Sequence, residues 1–319
     1  MIRQGDRAQT NYRRSETLPN SGSNMNSKLI KHPCGFWQII DKPTPKDLQQ
    51  YYADKYYQEA RGSYELEYTP EELHYFRVKL EQRLAVIQRY IGRKAGTLLD
   101  VGCGEGYNLA FFKELGWSVK GLDFRSAGIQ SKNPDCLNAL ITGDVYQLLA
   151  GEISAGRTYD IVWLQNVLEH VIEPVELLES LHALTSSEGI AVVTVPNDCS
   201  ITQLAARRHQ HIDTDFWVVP PDHLNYFSLE SLRSVAEVTG WKCAEVLGDF
   251  PVDWYLFHPG SNYVRNKNMG KAAHRARVQL ENLIHEQPID NVINFWLALA
   301  KIGFGRNITA FLQPARRDV

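Results

Sequence analysis

Residues 98–112 read LLDVGCGEGYNLAFF. A short apolar run ends at Val101, glycines follow at positions 102, 104 and 106, and a helical apolar pattern opens directly behind them. A glycine turn between a strand and a helix points backbone amides at a ligand with no side chains in the way. Two kinds of ligand use such a turn. A dinucleotide wants G-x-G-x-x-G, with a glycine at position 107 beside its pyrophosphate. Position 107 is Tyr107, and Asp100 and Glu105 would bring carboxylates toward that negative charge. Acids suit a cationic ligand instead.

Outward from this turn, short apolar runs alternate with helical stretches, the pattern of a parallel sheet with crossover helices. Strands are expected at 97–101, 118–123, 139–142, 159–164 and 190–195, a helix at 228–239, and strands again at 242–247 and 307–312. Between the last two lies an insertion with helical patterns at 270–285 and 290–301. Before the first strand, TPKDL (44–48) and TPEEL (69–73) both read as helix starts, each with a capping Thr, a Pro in the first turn and an acid three residues on. The second helix spaces Leu73, Phe76, Leu80, Leu84, Ile87 and Ile91 three or four apart, which predicts one apolar face packed on the sheet. Asp123 closes the second strand, where a carboxylate can take both hydroxyls of a ribose. Asp144 closes the third, where it can accept from an adenine amine with Val145 beside the ring. Strand-end aspartates also cap helices and turns; their order behind the glycine turn is what gives them weight.

On the motifs LLDVGCGEGYNL, VKGLDFR, ITGDVYQL, YDIVWLQNVLEHV and EGIAVVTVPND, residues 95–247 resemble a class I S-adenosylmethionine-dependent methyltransferase. The resemblance implies an α/β fold: a doubly wound, seven-stranded, mostly parallel Rossmann-like sheet with an antiparallel last strand, N-terminal helices and a helical insertion before that strand. It implies S-adenosyl-L-methionine as cofactor. Gly102, Gly104 and Gly106 would line its methionine part with Asp100 as a nearby acid, Asp123 its ribose, and Asp144 and Val145 its adenine. Gln165 and Asn166 would close the adenine side, and Tyr57 would belong to a lid. A narrower resemblance, carried by LEHV, VPND and DHLNYFS, is to bacterial small-molecule and sugar methyltransferases. That group includes quinone O-methyltransferases in which a Glu-x-x-Glu-His run has been linked to a divalent metal. Here the run reads Asn166-Val167-Leu168-Glu169-His170, with an amide in place of the first carboxylate. No metal is therefore expected, and Glu169 and His170 are read as a hydrogen-bonded pair on the floor of the site.

An activated methyl group needs an acceptor held in line and, for a hydroxyl or carbon acid, a base. Methyltransferases acting on base amines carry Asp/Asn-Pro-Pro-Tyr after the fourth strand; the sequence here is Leu164-Gln165-Asn166-Val167, which argues against nucleic acid. The stretch PPDHLNYFS (220–228) offers His223 as a base oriented by Asp222 or Tyr226, with His170 as the second candidate. In the plainer reading, His223 and Asn225 satisfy loop backbone, Tyr226 and Phe227 anchor it, and Ser228 caps the next helix. Arg265, Lys267, Lys271, His274, Arg275 and Arg277 form a cationic cluster. It is either a solvated face or a site for a phosphate-bearing acceptor such as a nucleotide- or lipid-linked sugar. The expected reaction is methyl transfer to an oxygen or carbon of a small-molecule or carbohydrate acceptor, with cell-surface polysaccharide biosynthesis as its setting. The rivals are a quinone-type O-methyltransferase, for which the apolar stretch 291–305 would meet a membrane surface, and a non-catalytic cofactor-binding regulator.

Composition sets the outer bounds. A net charge of −3 argues against nucleic-acid binding through bulk electrostatics and leaves a local basic patch open, and five scattered cysteines without C-x-x-C suit a reducing cytoplasm. No stretch has the length of a membrane span. The domain reading is a polar, disordered tail (1–24), an N-terminal helical lid (25–94), the cofactor-binding core (95–247), the helical insertion (248–306) and a last strand with its tail (307–319).

Overall fold

The computed structural model describes residues 28–48, 50–51 and 67–315. The expected tail at 1–24 and the lid residue Tyr57 lie outside the described residues. Two short strands come first, β1 (Leu29–Lys31) and β2 (Trp37–Ile39), and then helix α1 (Pro70–Gln88). The first half of the main sheet follows as β3 (Thr97–Val101), α2 (Tyr107–Glu114), β4 (Ser118–Asp123), α3 (Ala127–Lys132) and β5 (Leu140–Thr142). The second half runs α4 (Val145–Ser154), β6 (Tyr159–Gln165), α5 (Pro174–Leu184), β7 (Thr185–Pro196), α6 (Ile201–Arg208), β8 (Asn225–Tyr226), α7 (Leu229–Val238) and β9 (Trp241–Gly248). The insertion contributes α8 (Gly270–His285) and α9 (Ile289–Lys301), and β10 (Asn307–Pro314) closes the fold.

The main sheet has seven strands in the order β5-β4-β3-β6-β7-β10-β9. β10 lies between β7 and β9 and runs antiparallel to both. Along the strands, neighbouring residues go to opposite faces. Leu99, Val101, Val162, Leu164 and Val193 pack with α4, α5 and α7, while Leu98, Ile161, Trp163 and Val192 pack with α1, α2 and α9. Both faces are covered, which is why β6 is buried from Tyr159 to Leu164 rather than alternating. The carboxyl ends of the parallel strands therefore form the open rim, where ligands bind in sheets of this kind.

Helix α1 starts at the expected capping box, with Thr69 and Glu72 exchanging hydrogen bonds, but it does not bury the expected stripe. Leu73 is exposed, whereas Tyr75, Val78, Gln82 and Arg83 are buried along with Leu80 and Ile87. The insertion is the cause: it covers a second side of the helix. Asn282 Nδ2 donates to the Glu71 carbonyl at 3.0 Å, His274 Nε2 lies 2.9 Å from Glu72 Oε1, and Lys79 Nζ lies 3.1 Å from Glu281 Oε2. The apolar stretch at 291–305 is mostly interior, with Val292, Ile293, Trp296 and Leu299 buried. Among the described residues, no helix is long and apolar enough to cross a membrane.

A small antiparallel sheet, β1-β2-β8, joins the N-terminal segment to the loop before α7. The sequence reading gave this segment helices only.

Candidate active site

The glycine turn begins where β3 ends. Gly102, Gly104 and Gly106 have φ of 73°, 54° and 79°. A Cβ on Gly102 would also stand 2.3 Å from Val167 Cγ2, so neither backbone nor space admits a side chain there. Asp123, at the end of β4, holds the turn from the side: its Oδ2 accepts from Gly104 N at 2.8 Å and its Oδ1 from Arg125 N at 3.0 Å. Asp100 lies beneath, almost fully buried, with the Asn108 side chain as its polar neighbour. Burial pushes its carboxyl up to about 7, against the pull of Asn108 and with a further push from the charge of Asp123. A buried acid of this kind fits a ligand that brings a positive charge.

Two cavities meet at Gly102. The first, about 410 Å³, is lined by Gly104, Gly106, Asn108, Gln165 and Asn166, and by Arg83 of α1. The second, about 780 Å³, is lined by Asp123, Asp144, Val145, Val167 and His170. Asp144 also caps α4, accepting from Gln147 N at 3.1 Å, so the plainer role is met by a residue that lines the cavity. From the N-terminal segment, Pro45, Lys46 and Leu48 reach the second cavity. Helical residues 45–48 start at the expected cap, Asp47 N donating to Thr44 Oγ1 at 3.2 Å.

Gln165 and Asn166 line the first cavity, Asp123 and Asp144 the second, with Gly102 lining both. The chain turns sharply after β6, with Asn166 in the left-handed region at φ 53° and its amide on the Thr194 carbonyl at 2.9 Å. A non-glycine residue held there costs on the order of 1 kcal/mol, a strain concentrated at functional turns. Gln165 Oε1 accepts from Arg83 Nη1 at 2.6 Å. Arg83 is a site residue that the sequence reading missed. Its signal was a charge three residues past Leu80 and four before Ile87, on the side of the helix that should have been apolar.

The loop 220–228 packs onto the turn after β6. Asn225, fully buried, donates through Nδ2 to the carbonyls of Val171 at 2.7 Å and Leu168 at 3.3 Å. The amide of Leu224 donates to the Glu169 carbonyl at 2.8 Å, and the Tyr226 hydroxyl to the His223 carbonyl at 2.8 Å. Ser228 caps α7. Most of PPDHLNYFS is therefore a clamp. What it clamps is His170, whose Nδ1 lies 2.6 Å from the Asp222 carbonyl and must carry the hydrogen. Nε2 is then the basic nitrogen, 3.7 Å from Glu169 Oε1. His223 stands against His170 with ring centroids 4.8 Å apart, but it lines neither cavity. Glu169, His170 and His223 each present a ligand atom within 4.8 Å of the others. Burial pushes the Glu169 carboxyl up to about 8, with a further push from the charges of Asp198 and Asp222.

Asn197 and Asp198, which end the VPND motif, are buried and line neither cavity. Asn197 Nδ2 donates to the Gly305 carbonyl at 3.1 Å, and Asp198 Oδ1 accepts from Arg306 Nη1 at 3.2 Å. They join β7 to the end of the insertion. The cationic cluster of the insertion is also divided: Arg265 pairs with Asp213 at 3.2 Å, His274 faces Glu72, and Arg277 turns inward to the first cavity.

A family profile described as a methyltransferase domain matches residues 73–246. The chain is 27% identical over 170 residues to a ubiquinone biosynthesis O-methyltransferase of Paraburkholderia xenovorans, covering 52% of this chain and 73% of that protein. It is 34% identical over 110 residues to one of Burkholderia multivorans, where it covers 34% of this chain and 47% of that protein, about half its length. Among solved structures, a SAM-dependent methyltransferase from Archaeoglobus fulgidus superposes with a TM-score of 0.47 at 19% identity, covering 82% of this chain and 99% of that one. A 1,6-didemethyltoxoflavin-N1-methyltransferase from Burkholderia thailandensis gives a TM-score of 0.47 at 12% identity, covering 91% and 100%.

Proposed function

The chain belongs to the class I S-adenosylmethionine-dependent methyltransferases, and from that premise we propose that it methylates a hydroxyl oxygen of a small-molecule acceptor. The cofactor, when bound, supplies a methyl group already activated on its sulfonium. The chain's own residues bind and orient. Asp123, Asp144 and Val145 hold the nucleoside in the second cavity, and the glycine turn, Asn108 and Gln165 hold the amino-acid end in the first. Asp100 balances positive charge from below the turn.

The observation that carries the reading is His170. It lines the second cavity, and its Nδ1 hydrogen is spent on the Asp222 carbonyl. The imidazole is thereby locked in the tautomer whose Nε2 accepts the proton of an acceptor hydroxyl. His223 and Glu169 position that ring, which moves the base role from His223 to His170.

Besides the residues proposed for the nucleoside, the cavity that His170 lines carries Leu48, Tyr146, Val171 and Ile172, with Lys46, Glu173 and Glu176. The first four favour a phenolic ring over a glycan as the acceptor body, and the names of the curated relatives point the same way. A panel of phenols, catechols, glycans and nucleotide sugars, assayed with methyl-labelled S-adenosylmethionine, separates the classes. Transfer to a phenol, reduced about 100-fold or more in His170→Ala and much less in His223→Ala, supports the proposal. Transfer to a glycan, or equal activity in His170→Ala, contradicts it.

A further inference from the structure

Helix α9 of the insertion is apolar on more sides than its own fold covers. Val292, Ile293, Trp296, Leu299 and Ala300 turn inward and are buried. A second stripe, Asn291, Phe295, Ala298 and Ile302, lies on the outer side and is exposed, Phe295 at 44% and Ile302 at 59%. The apolar surface continues past the end of the helix. A Cβ on Gly303 would stand 3.5 Å from Ile201 Cγ2 of α6, and Ile201 is itself exposed. Beside it, Trp254 of the turn at Val252–Phe257 meets Phe304 edge-on, with ring centroids 5.4 Å apart, and is half exposed. A contiguous apolar patch of this kind marks an interaction surface.

The stripe fits itself. Its spacings of four, three and four residues read the same from either end. A second copy of α9 laid antiparallel therefore sets each Phe295 over the other copy's Ala298, a large side chain over a small one, and each Asn291 beside the other copy's Ile302. Such pairing of residue i with j and of j with i is what a twofold interface requires. The charges agree with the same arrangement. At 3.6 residues per turn, Asp290 and Lys301 lie only about 20° apart around the helix, on one flank of the stripe. A twofold axis keeps that flank on the same side of both copies, so Asp290 of each meets Lys301 of the other. Asp290 Oδ1 accepts from Arg89 Nη2 at 2.8 Å, yet its side chain is 77% exposed, and Lys301 is exposed as well. Antiparallel helix dipoles add a further attraction.

We infer that the outer face of α9, continued by Ile201 and Trp254, is the interface of a homodimer in which two α9 helices pack antiparallel about a twofold axis. The match of both size and charge to the same end-for-end register is what selects a second copy of this chain as the occupant. One helix pair with its flanks lies at the small end of interface sizes, so the dimer is reversible and depends on concentration.

Sedimentation equilibrium of the full chain tests this. The expected result is a passage from monomer to dimer between about 1 and about 200 µM, with Phe295→Glu raising the midpoint about tenfold or more at unchanged thermal stability. The register is tested by charge exchange. Asp290→Lys and Lys301→Glu each place two like-charged pairs in the dimer and should weaken it about fivefold, whereas a mixture of the two variants restores both attractive pairs and should form a heterodimer as tight as the unmodified homodimer. Mixing requires no change in either chain, so recovery separates pairing across the interface from damage within one copy. A chain that stays monomeric throughout the range overturns the inference, as does a dimer indifferent to Phe295→Glu. If the monomer instead sediments with phosphatidylglycerol vesicles and Phe295→Glu does not, the stripe meets a lipid surface and the homodimer is overturned. A dimer whose charge variants do not recover on mixing overturns the antiparallel register.

Discussion

The amide of Gly104 donates to Asp123 Oδ2 at 2.8 Å, so the acid at the end of one strand sets the shape of the glycine turn that follows its neighbour. Asp123 therefore shapes the turn and also lines the second cavity, where the nucleoside is proposed to lie. Asp123→Ala removes both. The expected result is a loss of cofactor affinity of about tenfold or more together with about 1.5–3 kcal/mol of stability, the range for hydrogen bonds to a charged group. Calorimetry and urea unfolding measure the two separately. An affinity loss with no stability change would mean that the turn stands without Asp123.

Asp100 gives the site a pH dependence with a definite sign. Its carboxyl, at about 7 in the folded chain, is neutral below that pH and charged above it. Affinity for the cationic cofactor should rise as pH goes from about 6 to about 8, and Asp100→Asn should bind weakly with little pH dependence. Stability goes the other way. The unfolded chain releases this proton near 3.8 while the folded chain keeps it to about 7, so the Asp100 contribution to stability falls as pH rises through that window. Asp100→Asn should lack this fall. Binding that weakens with rising pH would contradict the assignment.

The strands of the main sheet and the glycine turn were legible because each rests on local signals, apolar runs of alternating type and glycines between a strand and a helix, whereas the antiparallel last strand came from the family resemblance. The pairing of Trp37 with Tyr226 was not legible, since strands this short exist only through a partner far along the chain. Arg83 was missed, and the inward turn of Arg277 was not legible, for a related reason. A charge on a helix is normally solvated, and only the packing of α1 against α8 turns these two inward. Helix α6 was overlooked although Ser200 and Gln203 write its capping box plainly.

Asn225 is the keystone of the 220–228 clamp. Asn225→Leu would leave the carbonyls of Leu168 and Val171 without their donor and release the turn that carries His170. The expected cost is about 2–4 kcal/mol from two buried acceptors, with a fall in kcat that exceeds any change in cofactor affinity. Thermal or urea unfolding read alongside turnover checks this; normal turnover in a folded variant would remove the clamp from the mechanism.

A metal requirement is not expected. Position 166 offers an amide, and burial disfavours the charged form of the Glu169 carboxyl. Prolonged treatment with EDTA should leave turnover unchanged. Activity lost to EDTA and restored by magnesium would instead make Glu169, His170 and His223 a metal centre.

The most direct measurement is calorimetric titration of the protein with S-adenosylmethionine and S-adenosylhomocysteine, repeated on Gly102→Val. Micromolar binding of both is expected, abolished in the variant because a side chain at Gly102 collides with Val167 and blocks the junction of the two cavities. Absence of binding to the unmodified protein, or binding that Gly102→Val leaves intact, would contradict a cofactor laid across this turn.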